Sequence, residues 1–298
     1  MEKIQKKLIV IAGPTAVGKT SFAIELAQKI NTEIISADSR QFYKEISIGT
    51  AKPNPEELAR IPHHFINTLS IYDYYNVSKF ENEVLALLEN LFLTYDTVVM
   101  VGGSGLYIDA VCKGIDDLPD ADKKLRSDLK NQFNEKGIEP LLIELKKLDP
   151  EYFKIVDKAN QNRILRALEV IKETGKTFTE LRQNSKKERT FEIQKFCLNR
   201  DREELFNRIS LRVDQMIEDG LLEEVRLQLP NRNLNSLNTV GYKEIFKYLD
   251  GDISFDRAIT DLKTNTRRYA KRQLTWFKRD DSYTWIHPNQ MDEVLKSI

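Results

Sequence analysis

Residues 8–20 read LIVIAGPTAVGKT, and the fold follows from how this stretch divides. Residues 8–12 are continuously apolar and rich in β-branched side chains, as a strand buried on both faces requires. Gly13, Gly18, Lys19 and Thr20 then satisfy the spacing GxxxxGK[ST]. The glycines let backbone N–H groups converge on a phosphate, Lys19 adds a point charge, and the Thr20 hydroxyl can hold Mg²⁺. Residues 19–30 continue as a helix whose N-terminal dipole also favours an anion. Strand, phosphate loop and helix together make a P-loop, the opening unit of a parallel α/β sheet. Such a cradle reads the diphosphate and not the group beyond it, so the loop alone leaves the ligand open.

Two further apolar runs extend the sheet. Residues 33–37 end at Asp38, and residues 97–101 end at Gly102, Gly103, Ser104 and Gly105. Strands alternating with helices predict a parallel sheet flanked by helices. P-loop ATPases place a magnesium-binding Asp at the end of a strand deeper in the sheet. Here that position carries glycine, which disfavours energy-coupled ATP hydrolysis. Asp38 falls on the carboxyl side of its strand, where ligands of open α/β sheets gather. A general base, a cap and a water-mediated magnesium partner all suit it. Ser104 is equally open between substrate contact and strand termination.

After Gly114 the character changes: residues 116–187 show no strand-like run and read as charged, amphipathic helices. This divides the chain into a first core part (1–115), an all-helical insertion (116–188) and a second core part (189–298). Within the insertion Asn160 caps a helix whose Ile164, Leu165, Leu168 and Ile171 share one side, with Arg163 and Arg166 outward and Gly175 as the stop. Residues 191–198 then alternate like a returning strand, and Asp201 with Glu204 predicts a capping-box start to a helix ending near Gly220. On that helix Arg208 and Arg212 lie four apart, opposite the stripe of Leu205, Ile209, Val213 and Met216. Such arginines are either solvated or neutralise a transferred group's charge.

The 298 residues carry 46 Lys and Arg against 46 Asp and Glu, so no global basic field marks a nucleic-acid partner. Charge is clustered instead. Residues 263–279 hold Lys263, Arg267, Arg268, Lys271, Arg272, Lys278 and Arg279 without an acid, interleaved with Tyr269, Trp276 and Phe277. That run suits phosphate contacts and base stacking, or equally a charged helix face whose aromatics pack inward. Cys112 and Cys197 form no CxxC pair, and His63, His64 and His287 lack zinc-ligand spacing. The N-terminal apolar run is too short for a membrane span, so a cytoplasmic chain without membrane contact is expected.

Taken in order, GPTAVGKT (13–20), ISADSRQFYKEISIGTAKP (35–53), VGGSGLY (101–107), NRILRALEV (162–170), RVDQM (212–216), TVGYKE (239–244) and KRQLTWF (271–277) resemble the tRNA dimethylallyltransferase family. The resemblance implies a P-loop NTPase-like α/β sheet with an all-helical insertion. It implies that Gly13, Pro14, Thr15, Ala16, Val17, Gly18, Lys19 and Thr20 hold the diphosphate of dimethylallyl diphosphate, with Mg²⁺ on Thr20. The acceptor it implies is N6 of the adenosine 3′-adjacent to the anticodon, extruded from the tRNA anticodon stem-loop into a channel. Asp38 becomes the general base, with Lys19, Thr20, Ser104 and Arg212 as further catalytic positions. Asp38, Ser39, Arg40, Gln41, Ser104, Arg126, Gln161, Asn162, Arg163, Ile164 and Leu165 fall at tRNA-contact positions, and Arg268, Lys271 and Arg272 would meet the anticodon stem. Many members carry Thr where this chain has Ser104, which keeps the hydroxyl. A monomer is expected. The competing expectations are a P-loop nucleoside or nucleotide kinase, and a nucleic-acid-binding module with a regulatory P-loop.

Overall fold

The computed structural model describes residues 5–116, 118–120, 122–183 and 186–298. Residues 1–4 of the charged start, and 117, 121, 184 and 185 of the expected insertion, lie outside the described residues. The chain divides into two compact units, Met1–Cys112 with Arg189–Ile298, and Lys113–Glu188.

The first unit opens with β1 (Lys7–Ala12), α1 (Lys19–Lys29), β2 (Ile34–Ser36), α2 (Pro55–Arg60), β3 (His63–His64), α3 (Val77–Thr94), β4 (Thr97–Gly102) and α4 (Gly105–Lys113). The second unit carries α5 (Lys123–Lys136), α6 (Glu139–Leu148), α7 (Pro150–Ile155), α8 (Gln161–Thr174) and α9 (Phe178–Leu181). The chain re-enters the first unit as β5 (Glu192–Leu198), α10 (Arg202–Glu218), α11 (Leu221–Leu227), α12 (Tyr242–Leu249), α13 (Phe255–Phe277), β6 (Tyr283–Ile286) and α14 (Met291–Leu295).

Among the described residues the six strands are all parallel, in the order β3-β2-β4-β1-β5-β6. β1 is central, with Ile11 paired to Val101 on one side and Phe196 on the other. Its residues 8–12 are fully buried, which explains the unbroken apolar run. Ile9 and Ile11 pack with Phe22, Leu26, Ile209 and Ala270 on one face of the sheet, whereas Leu8 and Val10 pack with Phe80, Val84, Ile108 and Phe277 on the other. Full burial of each large apolar side chain stabilises by ~1.5–3 kcal/mol, so helices on both faces fix the sheet.

The P-loop sheet expected from the sequence is the fold observed. Two of its strands escaped the sequence reading, because β3 spans two residues and β6 four, too short to show a period. β5 does not alternate: positions 195–198 are all buried, since the strand lies between β1 and β6. Lys195 is tolerated there by an ion pair with Asp280 at 3.0 Å. Asp201 is the N-cap of α10, but its side chain caps nothing, and Glu204 pairs with Arg200 instead of closing a capping box.

In the helical unit Asn160 Oδ1 accepts the Arg163 N–H at 3.2 Å and Gly175 ends α8 at φ +70°. Leu141, Leu145, Ile164, Leu165, Leu168 and Phe178 form this unit's own core. Arg166 is only half exposed, with its guanidinium on the Pro119 carbonyl at 2.6 Å. Among the described residues no helix is long and apolar enough to cross a membrane.

Candidate active site

The phosphate loop leaves β1 at Gly13 (φ +150°) and enters α1 after Gly18 (φ +105°). A Cβ at Gly13 would lie 2.8 Å from the Leu198 carbonyl oxygen, so this turn admits only glycine. Ala16 also takes a left-handed φ of +64°, which costs a non-glycine residue ~1–2 kcal/mol. External contacts hold it there. Arg208 Nε donates to the Ala16 carbonyl and Arg200 Nε to the Val17 carbonyl, both at 2.8 Å. Gln273, buried on α13, accepts the Thr15 N–H at 2.9 Å and donates to the Gly103 carbonyl at 3.0 Å. One carboxamide thus ties the phosphate loop to the glycine turn after β4.

Lys19 Nζ donates to the Pro14 carbonyl at 2.7 Å. Desolvation lowers its pKa to about 8, with the Arg212 charge acting in the same direction and Asp38 opposing it. Arg212 reaches the Thr15 hydroxyl at 3.4 Å. Burial, then the charge of Arg208, lowers the Arg212 pKa, yet a guanidinium stays protonated throughout the working range. The loop is therefore a concentrated cationic site.

Asp38 follows β2, and its Oδ1 accepts the Arg40 N–H at 3.0 Å. Ser104 Oγ accepts the Ser39 N–H at 3.0 Å and donates to Ser39 Oγ at 3.2 Å, fastening the second glycine turn to the segment after Asp38. Gly102 has no room for a side chain, since a Cβ would stand 2.2 Å from the Ala37 carbonyl oxygen. An aspartate at that strand end is sterically forbidden, which gives the missing ATPase-type carboxylate a physical cause.

A cavity of about 380 Å³ brings Thr15, Lys19, Thr20, Asp38, Ser39, Arg40, Gln41, Arg212 and Arg272 together. Gly13, Pro14 and Val17 are buried behind its wall and act as scaffold. Ser104 stands behind Ser39 and does not line it. The Arg40 guanidinium donates to the carbonyls of Asn235 at 2.9 Å and Ser236 at 3.1 Å, so much of its donor capacity clamps the chain. Gln41 Nε2 likewise donates to the Thr50 and Ala51 carbonyls at 3.2 and 3.1 Å.

The basic run of α13 does not present one stripe. Tyr269, Arg272 and Gln273 face this cavity, whereas Arg267, Arg268 and Lys271 line a second cavity of about 540 Å³ together with Leu205 and Phe206 of α10. Burial pushes the Tyr269 phenol well above its ordinary pKa, which keeps it a neutral donor. Trp276 Nε1 donates to Asp109 at 2.9 Å and Phe277 is fully buried, so these two aromatics pack inward and are not stacking surfaces for bases.

The remaining sequence-derived positions belong to the helical unit. Arg126 pairs with the fully buried Glu169 at 3.4 Å. Gln161, Asn162 and Arg163 are exposed on the first turn of α8. Ile164 and Leu165 are buried in that unit's core, Ile164 completely, so neither presents the contact surface expected of it.

Thr20 is the one hydroxyl at the N-terminus of α1 that lines the cavity without a hydrogen bond to another described residue. No group of three or more His, Cys, Asp or Glu side chains suited to a metal occurs among the described residues. This donor set fits Mg²⁺ carried on diphosphate oxygens and waters with one protein hydroxyl, not a protein cage. Gln273 and Arg200 are absent from the sequence-derived set, because nothing local marks a residue that acts across about two hundred positions of chain.

An open parallel sheet with a cationic P-loop on its central strand, and a carboxylate facing the same cavity, defines a P-loop group-transfer enzyme. Comparison makes the class specific. The profile of the IPP transferase family matches residues 41–280. The tRNA dimethylallyltransferase 1 of Phocaeicola vulgatus is 52% identical over 291 residues, covering 98% of this chain and 97% of the relative. The solved full-length tRNA isopentenylpyrophosphate transferase of Bacillus halodurans is 36% identical with a TM-score of 0.71, covering 98% of this chain and 95% of that one. A solved eukaryotic dimethylallyltransferase acting on tRNA is 29% identical with a TM-score of 0.79, covering 97% of this chain and 75% of that one. The chain belongs to the IPP transferase family.

Proposed function

We propose that this protein transfers the dimethylallyl group of dimethylallyl diphosphate to N6 of the adenosine 3′-adjacent to the anticodon of tRNA, releasing pyrophosphate. The observation that carries the reading is the juxtaposition, in one cavity, of a P-loop with Asp38 across from it and no room for an ATPase-type aspartate at Gly102. The kinase reading is the weaker one, because a P-loop enzyme acting on ATP holds its Mg²⁺ with an aspartate at the strand end where glycine is enforced here.

The residues divide the chemistry as follows. The loop N–H groups, Lys19 and Arg212 hold the diphosphate and take up charge as the carbon–oxygen bond breaks. Mg²⁺, where bound through Thr20, supplies Lewis-acid neutralisation of the same oxygens. N6 forms the new bond to the allylic carbon, and Asp38 accepts the proton that N6 sheds. No covalent enzyme intermediate is needed. Ser104 acts at one remove, by fixing the Ser39 amide and so the turn that carries Asp38. Arg40 and Gln41 shape the acceptor side through their backbone contacts. Exposed Gln161, Asn162 and Arg163 with Arg126 supply RNA contacts from the helical unit, and Lys271 and Arg268 supply phosphate contacts from α13. The working form is a cytoplasmic monomer.

The test is product identity. Unmodified tRNA is incubated with the protein, dimethylallyl diphosphate and Mg²⁺, then digested to nucleosides for mass spectrometry with site mapping. N6-dimethylallyladenosine at the position 3′ to the anticodon is expected. Unaltered adenosine there, or the prenyl group elsewhere, refutes the reading.

A further inference from the structure

One wall of the cavity is a loop whose shape is imposed from outside the cavity. Gly49, Thr50 and Ala51 line the cavity, and Ala51 takes a left-handed φ of +48°, a conformation the loop does not favour by itself. Three successive backbone N–H groups at the start of this loop converge on one carboxylate. Glu224 Oε2 accepts from Ser47 and Ile48, each at 2.8 Å, and Oε1 accepts from Gly49 at 2.9 Å. A fourth donor, the Tyr242 hydroxyl, completes the set at 2.5 Å.

The support beneath the loop is equally specific. Tyr242 is fully buried, and a Cβ at Gly49 would come within 2.6 Å of its ring, so the loop lies flat on that ring. Lys52, whose ammonium donates to the Tyr43 carbonyl and to Asn67 at 2.6 Å, pins the far end. On the inner side, the Thr50 and Ala51 carbonyls receive the Gln41 carboxamide, and the Gln41 N–H donates to the Asp38 carbonyl at 3.2 Å. A continuous chain of hydrogen bonds thus runs from Glu224, through the loop, to the turn that carries the proposed base. Neither Glu224 nor Tyr242 lines the cavity.

We propose that Glu224, completed by Tyr242, is a positioning residue for the acceptor half of the site: it clamps the loop of residues 47–51 so that this wall and Gln41 hold the incoming adenine beside Asp38. The donor half is fastened separately, by Arg200, Arg208 and Gln273. The clamp therefore acts on one substrate and not the other. This rests on the tRNA-prenylation reading of the same cavity.

Breaking the clamp should give an asymmetric defect. A glutamine at 224 keeps the shape but replaces one acceptor oxygen by a donor facing N–H or O–H donors, so the three-amide focus loses its anion. For Glu224→Gln, kcat/KM toward tRNA should fall at least tenfold, while the Kd for dimethylallyl diphosphate, titrated in the absence of tRNA, stays within about threefold. Tyr242→Phe removes a single donor and should show the same asymmetry at smaller size, which keeps the test open should the first variant fold poorly. Wild-type kcat/KM toward tRNA in both variants, whatever their melting temperatures, overturns the clamp and leaves the function reading standing. Equal losses toward both substrates also overturn it, because the carboxylate would then serve the fold at large. A wild-type protein that transfers nothing to tRNA refutes the function reading itself, and the clamp with it.

Discussion

Raising the pH from about 7.5 to about 9.5 should cost the ligand-free protein roughly 25-fold in affinity for dimethylallyl diphosphate, through deprotonation of Lys19. Burial sets the Lys19 pKa at about 8 before the ligand arrives. On that value about 76% of the lysine is charged at pH ~7.5 and about 3% at pH ~9.5, which gives the factor. Both phosphates of the ligand are ionised over this interval, so the lysine is the group that titrates. The bound diphosphate stabilises the ammonium, so binding takes up a proton, approaching one per site near pH ~9. Stability of the ligand-free protein carries the opposite sign. The folded-state pKa lies below that of a free lysine, so between about 8 and ~10.4 the unfolded chain holds more protons and stability rises with pH. Lys52, lowered to about 8 chiefly by burial, adds to that stability slope but lies off the cavity, so affinity isolates Lys19. Calorimetric titration in two buffers of different ionisation enthalpy measures both affinity and proton uptake, with Lys19→Met as the control. An affinity flat across this range, or a fall that Lys19→Met shares, refutes the reasoning.

Asp38→Asn should lower kcat by about 10²–10⁴-fold while tRNA binding by filter retention holds within about threefold, because the carboxylate is assigned to proton transfer; wild-type kcat would remove it from the mechanism. Gly102→Ala forces a methyl group to 2.2 Å from the Ala37 carbonyl oxygen, and a loss of at least ~2 kcal/mol in urea unfolding is expected. An unchanged midpoint there would show that the strand end tolerates a side chain. Lys271→Ala and Arg272→Ala should behave differently, since the two residues face different cavities. The first should reduce the slope of log K for tRNA against log salt by about 0.7–0.9 with kcat retained, and the second should reduce kcat. Identical effects on both quantities would contradict the division of α13 into two faces.

The parts of the fold set by local pattern were legible in the sequence. The run at residues 8–12, the glycine spacing from Gly13 to Gly18 and the cap and stop at Asn160 and Gly175 each act within a few residues, and each is found as read. β3 and β6 were invisible because two and four residues carry no period. The capping box at Asp201 fails because Arg200 competes for Glu204, a choice that spacing does not encode. The same limit governs the site. Lys19 and Asp38 were readable from motif and strand end, whereas Gln273 and Glu224 act on backbone groups 170 or more positions away. Arg268, Lys271 and Arg272 looked alike as a charge run, yet the turn of a helix sends Arg272 to one cavity and the other two to another. Trp276 and Phe277 were readable as stacking surfaces or as packing, and packing against Asp109 and the sheet decides it.

Whether the P-loop holds a leaving group is tested most directly with doubly labelled dimethylallyl diphosphate. With carbon label in the allyl group and phosphorus label in the diphosphate, one round of reaction with tRNA should place the carbon on the RNA and the phosphorus in free pyrophosphate, in equal amounts and without added ATP. Phosphorus label appearing on RNA or protein, or carbon transfer that requires ATP hydrolysis, would contradict the account.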